Sequence, residues 1–131
     1  MDILLDTHIW LWSFLDHLRI GKHLAAMLED PANQLWLSPV SLWEAMVLSQ
    51  NGSIELAPDP ATWLRHSLRR GFVLEAAITH EVAIHSRLID LPHKDPVDRF
   101  IAATALVNNL SLATADKHLL RCRGIRTLPN R

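Results

Sequence analysis

A single cysteine, Cys122, stands in the 131 residues. That leaves no internal disulfide and no cysteine-rich zinc site open to the chain, and it fits a reducing compartment. Net charge is almost absent as well. Thirteen Lys and Arg stand against 14 Asp and Glu, for a balance of −1, so no global field marks a nucleic-acid binder and any steering must come from local patches. No apolar run approaches membrane-spanning length, and Asp2 and Asp6 sit where a signal peptide would need basic residues and an unbroken apolar stretch. The expected location is therefore cytoplasmic. Repeats, low-complexity tracts and linkers are missing too, and Ala57-Pro58-Asp59-Pro60 reads as a stiff turn inside one domain. What remains, 49% hydrophobic and 21% charged, is the composition of an ordinary globular chain. A domain of this length buries roughly two thirds of the surface its unfolded form exposes. One domain, residues 1–131, is expected.

Short apolar runs alternate with longer helical patterns, which argues for βαβ units and a parallel sheet. The candidate strands are Ile3–Asp6, Leu35–Ser38, Phe72–Ala76, Ser111–Thr114 and Ile125–Leu128. Ile9-Trp10-Leu11-Trp12 with Phe14-Leu15 is too long for a strand and reads as a helix with a wide buried face; Leu24–Leu28 continues as a second helix. Ser38-Pro39 supplies a helix start and Asn51-Gly52 its stop. Ala61–Arg70, Thr79–Leu88 and Pro96–Asn108 complete the helices, the last opened by Asp95.

Four acids stand where an apolar run ends or a helix begins. Ile3-Leu4-Leu5 runs straight into Asp6, and Leu112-Ala113-Thr114-Ala115-Asp116 repeats that pattern. If the two strands are neighbours, Asp6 and Asp116 share the carboxyl edge of the sheet, where open α/β proteins keep their sites. Each acid also has a plain helix-capping explanation. Asp6 could cap the Trp10–Leu15 helix, Asp116 could cap Lys117–Leu120, and Asp95 could cap the helix that Pro96 opens. Asp98 would sit favourably near the positive end of that same helix. Glu44 completes a capping box only if Ser41 is the cap. Because Pro39 favours a start at Ser38, Glu44 lies too deep in the helix for that role. Carboxylates converging on one pocket repel each other, so a divalent cation is their natural partner. Thr7 and His8, beside Asp6, could bond a metal-bound phosphate or water.

Taken in order, these stretches carry a family resemblance. Leu4-Leu5-Asp6-Thr7-His8, Ser41-Leu42-Trp43-Glu44, the run from His93 through Lys94-Asp95-Pro96-Val97-Asp98-Arg99 to Phe100-Ile101-Ala102-Ala103-Thr104-Ala105, and Ala113-Thr114-Ala115-Asp116 resemble the motifs of PIN-domain ribonucleases. The similarity is greatest to the VapC toxins of toxin–antitoxin pairs. It spans nearly the whole chain, and all four acid positions are kept. The resemblance implies a three-layer α/β/α fold around a central parallel sheet ordered 3-2-1-4-5. It implies a metal-dependent endoribonuclease in which Asp6, Glu44, Asp98 and Asp116 hold one or two Mg²⁺ or Mn²⁺ ions, with Asp95 assisting or capping and Thr7, His8 and Arg99 as auxiliary residues. Products would carry 5′ phosphate and 3′ hydroxyl ends. The implied partners are RNA, a VapB-like antitoxin and a second copy of the chain.

RNA needs positive charge, and two clusters offer it: Lys117, Arg121, Arg123, Arg126 and Arg131 near the C-terminal end, and Arg65, Arg69 and Arg70 along one helix. Of the five tryptophans, Trp10, Trp12, Trp36 and Trp43 lie in apolar segments and suit a core or an interface, which leaves Trp63 for base stacking. Trp10, Trp12, Phe14 and Leu15 together offer more apolar surface than one face of a short helix needs, which suits a groove or interface. Three other readings compete. A receiver-like phosphoacceptor domain would want an acid at the end of the third strand, and Phe72–Ala76 does not end in one. A histidine ribonuclease would want paired histidines, and the eight present have no such spacing. A non-catalytic PIN-type binding module would keep the fold and lose acids that this chain retains.

Overall fold

The alternation of apolar runs and helical periods becomes, in the computed structural model, an alternation of strands and helices; residues 1–92 and 94–131 are described. In chain order they are β1 (Asp2–Leu5), α1 (Thr7–Leu15), a 3-10 turn (His17–Arg19), α2 (Lys22–Glu29), β2 (Gln34–Leu37), α3 (Pro39–Gln50) and α4 (Pro60–Arg70). There follow β3 (Val73–Glu75), α5 (His80–Leu88), α6 (Pro96–Val107), β4 (Ser111–Thr114), α7 (Lys117–Leu120) and β5 (Arg126–Pro129). The strands form one parallel sheet in the order β3-β2-β1-β4-β5. Register places Ile3 opposite both Leu35 and Ser111, and Leu5 opposite Ala113.

Side chains alternate across a strand, and a central parallel strand is covered on both faces. Ile3, Leu5, Leu37 and Ala113 therefore join one apolar cluster with Ile9, Trp10, Leu11, Leu24 and Leu64 from α1, α2 and α4. Leu4 and Leu112 join the other, with Val97, Ile101, Ala102 and Ala105 from α6 and Leu119 from α7. The small residues of α6 let that helix lie close on the sheet, and Ala102, Ala103 and Ala105 are all buried. The result is the expected three-layer architecture. Among the described residues no helix is long and apolar enough to cross a membrane.

Trp10 is the largest wholly buried side chain. It meets Phe14 and Trp63 edge to face, with centroids 5.6 and 6.0 Å away, and Phe14 meets Trp63 at 5.7 Å. Among the described residues its Nε1 is buried without a hydrogen-bond partner, a cost of roughly 1–3 kcal/mol. Burying an aromatic of that size returns about 4–6 kcal/mol, so the ring stays inside. This packing corrects the expectation that Trp63 is free to stack on bases. Trp43, by contrast, is 60% exposed and is not core.

Boundaries differ from expectation where a polar residue or the backbone ends an element. Asp6 leaves the first strand because it caps α1, and Ser38 leaves the second because it caps α3. Phe72 has a φ of 51° and is 86% exposed, so it belongs to the turn before β3. The last strand begins one residue late, at Arg126. Pro39, Pro60 and Pro96 each stand at the start of a helix behind a capping Ser38, Asp59 or Asp95, where a missing N–H costs nothing.

The far end of the chain clasps the start of α2. Leu24 N donates to Arg131 O at 2.9 Å, Gly21 N donates to Asn130 Oδ1 at 2.7 Å, and Asn130 Nδ2 donates to Arg19 O at 2.9 Å. A Cβ on Gly21 would overlap the Arg131 backbone, so close approach here requires glycine. Gly21→Ala is expected to cost about 1–3 kcal/mol in a urea titration and to speed hydrogen exchange at the Leu24 amide. Unchanged exchange there would mean that the clasp is not made in solution.

Candidate functional site

Because β1 and β4 are adjacent and parallel, the residues that follow them emerge side by side. Asp6 N donates to Ala113 O at 3.0 Å, continuing the ladder for one more residue. Asp6 Oδ2 then accepts from Thr114 Oγ1 at 2.6 Å, and Oδ1 accepts from Thr7 N at 2.8 Å. Thr114 Oγ1 in turn accepts from Asp116 N at 3.0 Å, so one hydroxyl ties together the two strand-end acids. Asp116 Oδ1 caps α7, accepting from His118 N at 2.7 Å and Leu119 N at 3.1 Å. Asp95 Oδ1 caps α6 through Val97 N at 3.0 Å, and Asp98 follows in the first turn. On α3 the cap is Ser38, whose Oγ accepts from Val40 N at 3.1 Å. Glu44 is thus well inside that helix, with no capping role.

These acids line one cleft of about 440 Å³, together with His8, Trp12, Arg19 and Ala115. The expected Asp6, Glu44, Asp95, Asp98, Asp116 and His8 are all brought together in it. A separate hollow of about 260 Å³, walled by Trp10, Phe14, Ile20, Leu28 and Leu35, holds none of those acids.

Electrostatics record the crowding. Asp98 is pushed up to about 8, first by burial and then by the charges of Asp6, Asp116, Asp95 and Glu44. Burial also raises Asp6, against the hydrogen bonds from Thr114 and Thr7 and the charge of His8, with Glu44 adding to the rise. Burial outweighs those favourable bonds. Among the described residues no group of three or more His, Cys, Asp and Glu side chains is gathered tightly enough to hold a metal ion as it stands. The donors nevertheless suit a hard divalent cation, because all are carboxylate oxygens and Mg²⁺ commonly keeps several waters and takes only one or two carboxylates.

Two expected auxiliary residues are elsewhere. Thr7 is fully buried, and its Oγ1 donates to Ser41 Oγ at 2.9 Å; it joins α1 to α3 rather than facing the cleft. Arg99 turns away from the acids. Its Nε donates to Ser86 O at 2.7 Å, Nη1 to Leu91 O at 2.9 Å and Nη2 to Ile89 O at 3.2 Å, which fixes the loop between α5 and α6. His93, the first residue of the third motif, lies outside the described residues. Neither basic cluster lines the cleft. In the C-terminal one, Arg126 bonds Asn109 and Arg123 pairs with Asp90 at 3.9 Å. Trp10 and Phe14 pack against Trp63 and also wall the separate hollow, Trp12 faces the acids, and Leu15 is 42% exposed.

Sequence reasoning missed Thr114 and Arg19. Thr114 could have been found from its place two residues before Asp116 on a buried strand. Arg19 sits in a short turn with no motif around it.

An acid whose folded pKa is raised contributes no penalty below its unfolded value. It lowers stability progressively as pH rises toward the folded pKa, here from 3.8 to about 8. Asp98→Asn removes that penalty. The metal-free variant is therefore expected to be more stable than the parent by roughly 1–2 kcal/mol near pH 8, and by much less near pH 5. Urea unfolding at both pH values checks this; an equal gain at both would mean that the carboxyl's charge is not the cause.

Comparison with known proteins gives a family and a fold. Residues 3–124 match the PIN domain family. The chain is 30% identical over 120 residues to Ribonuclease VapC22 of Mycobacterium tuberculosis (strain ATCC 25618 / H37Rv), covering 89% of this chain and 88% of that protein. Among solved structures, it superimposes on a chain of VapBC2 from Rickettsia felis, bound to a DNA fragment from their promoter, with a TM-score of 0.72, 15% identity and 98% of each chain covered. A chain of DNA-bound VapBC from Salmonella typhimurium gives a TM-score of 0.71 at 19% identity, covering 100% of this chain and 99% of that one. The matched span contains all five cleft acids, and the chain therefore belongs to the PIN-domain family.

Proposed function

We propose that this protein is the toxin of a type II toxin–antitoxin pair and acts, as a single cytoplasmic domain, as a metal-dependent endoribonuclease. The observation that carries this reading is the convergence of Asp6, Glu44, Asp95, Asp98 and Asp116 on one cleft at the carboxyl edge of the sheet, in a family member related to a named ribonuclease. Asp6, Glu44, Asp98 and Asp116 would hold one or two Mg²⁺ or Mn²⁺ ions, with Asp95 beside them. Such an ion, when bound, lowers the pKa of a water, aligns it with the scissile phosphorus and neutralises charge on the leaving 3′ oxygen. The protein's part is positioning. Asp6 is fixed at both oxygens by Thr114 and Thr7, so its carboxylate cannot rotate. Asp95 and Asp116 are fixed by the helix starts that they cap. Glu44 comes in from α3, whose position against α1 is set by the Thr7–Ser41 bond. Hydrolysis would leave 5′ phosphate and 3′ hydroxyl ends.

Asp6→Asn and Asp98→Asn are each expected to lower RNA cleavage at least about a hundredfold in the presence of Mg²⁺ or Mn²⁺ and to abolish toxicity on expression. Asp95→Asn should be milder, since Asn still caps. Chelation should abolish cleavage by the parent protein. Cleavage that survives chelation, or that is undiminished in both Asp6→Asn and Asp98→Asn, would defeat the metal-dependent reading.

The proposed protein partners are a VapB-like antitoxin and a second copy of this chain. An antitoxin Arg or Lys entering the cleft could pair with its carboxylates and compete with the cation. Exposed Trp43, Ile84 and Leu88 are apolar side chains suited to burial in such contacts. Co-expression with the neighbouring reading frame, purification and native mass measurement should yield a complex containing two toxin chains. A monomer that captures no neighbour-encoded protein would sink the toxin–antitoxin reading and leave the ribonuclease reading standing.

A further inference from the structure

A cleft walled by carboxylates repels the strand that it must receive. Cations bound by the acids offset that repulsion only at the bond being cut, so neighbouring phosphates need a cation supplied by the protein. Arg19 is the one Lys or Arg among the described lining residues. Its guanidinium carbon lies 4.3 Å from the centroid of the Trp12 ring, and Trp12 packs against His8 at 5.9 Å. His8, Trp12 and Arg19 thus form a continuous wall facing the acids.

Two features keep that charge available. Among the described residues the ion pairs are His85 with Glu81 and Arg123 with Asp90, so Arg19 is not neutralised by a cleft carboxylate. Stacking occupies the face of a guanidinium, whereas its five N–H donors lie in the plane and suit a phosphate. The backbone beneath Arg19 is also fixed, since Asn130 Nδ2 donates to Arg19 O and Asn130 Oδ1 accepts from Gly21 N. The turn His17–Arg19 is therefore tied to the end of β5, and the arginine projects from a braced position.

We infer that Arg19 is a substrate-binding residue that pairs with an RNA phosphate next to the scissile one, an assignment that rests on the ribonuclease reading above. The test compares the parent protein with Arg19→Ala and Arg19→Lys, using a short single-stranded RNA with a fluorophore and quencher, Mg²⁺ or Mn²⁺, and a series of KCl concentrations. Arg19→Ala is expected to raise KM about tenfold and leave kcat within about twofold. The slope of log kcat/KM against log salt should also become shallower by about one. Arg19→Lys, which keeps the charge, should recover most of the lost KM. The assignment is overturned if Arg19→Ala keeps the parent's KM and salt slope, if only kcat falls, or if Arg19→Lys is no better than Arg19→Ala. It is also overturned if Arg19→Ala loses the antitoxin while its RNA kinetics stay unchanged, which would move Arg19 to a protein interface. A parent protein that cleaves no RNA would remove the ribonuclease reading, and the Arg19 assignment with it.

Discussion

Thr114 Oγ1 donates to Asp6 and accepts from the Asp116 backbone, and the rest of the cleft depends on that junction of β1 and β4. A buried carboxylate is costly unless its lone pairs are met. Asp6 meets this demand with one hydroxyl and one backbone N–H, and even so burial raises its pKa. The sheet order is what permits the arrangement: only with β1 beside β4 in parallel register does Ala113 O receive Asp6 N and bring Thr114 alongside.

The other acids arrive by helix starts, and the same chemistry serves two ends. A carboxylate that caps a helix is held by backbone N–H groups near the positive end of the macrodipole. Asp95 and Asp116 are both caps and cleft residues, so capping and a role in the cleft are not alternatives at these positions. At Asp98 four neighbouring carboxylates add to burial in raising the acid's pKa. Its charge works against stability there, which is the trade expected of a functional site.

Arginines divide in a way that charge counting does not reveal. Arg99 stands one residue from Asp98, yet its guanidinium bonds the carbonyls of Ser86, Ile89 and Leu91 around the loop that precedes α6. Arg19, 13 or more positions from every cleft acid in sequence, reaches the same cleft as Asp98. The difference is one of direction: successive helical side chains point about a hundred degrees apart, so the neighbour of a cleft residue faces elsewhere.

The sequence by itself determined the elements and their chemistry. Apolar runs of four or five residues, Ser-Pro and Asp-Pro starts and the helical periods between them are local signals, and each became a strand, a cap or a helix. The convergence of the acids was legible too, since Asp6 and Asp116 end strands and Asp98 opens a helix. Glu44 entered by failing to fit a cap. Only tertiary structure decided what depends on contact across the chain: that Thr7 bonds Ser41 instead of facing the cleft, that Thr114 holds Asp6, that Trp63 is packed against Trp10, and that Asn130 braces Arg19. These pairs are separated by 34 to 111 positions, and no periodicity links them. Their pairing follows from strand register and helix packing, which fix direction as well as distance, whereas a single sequence carries only local order.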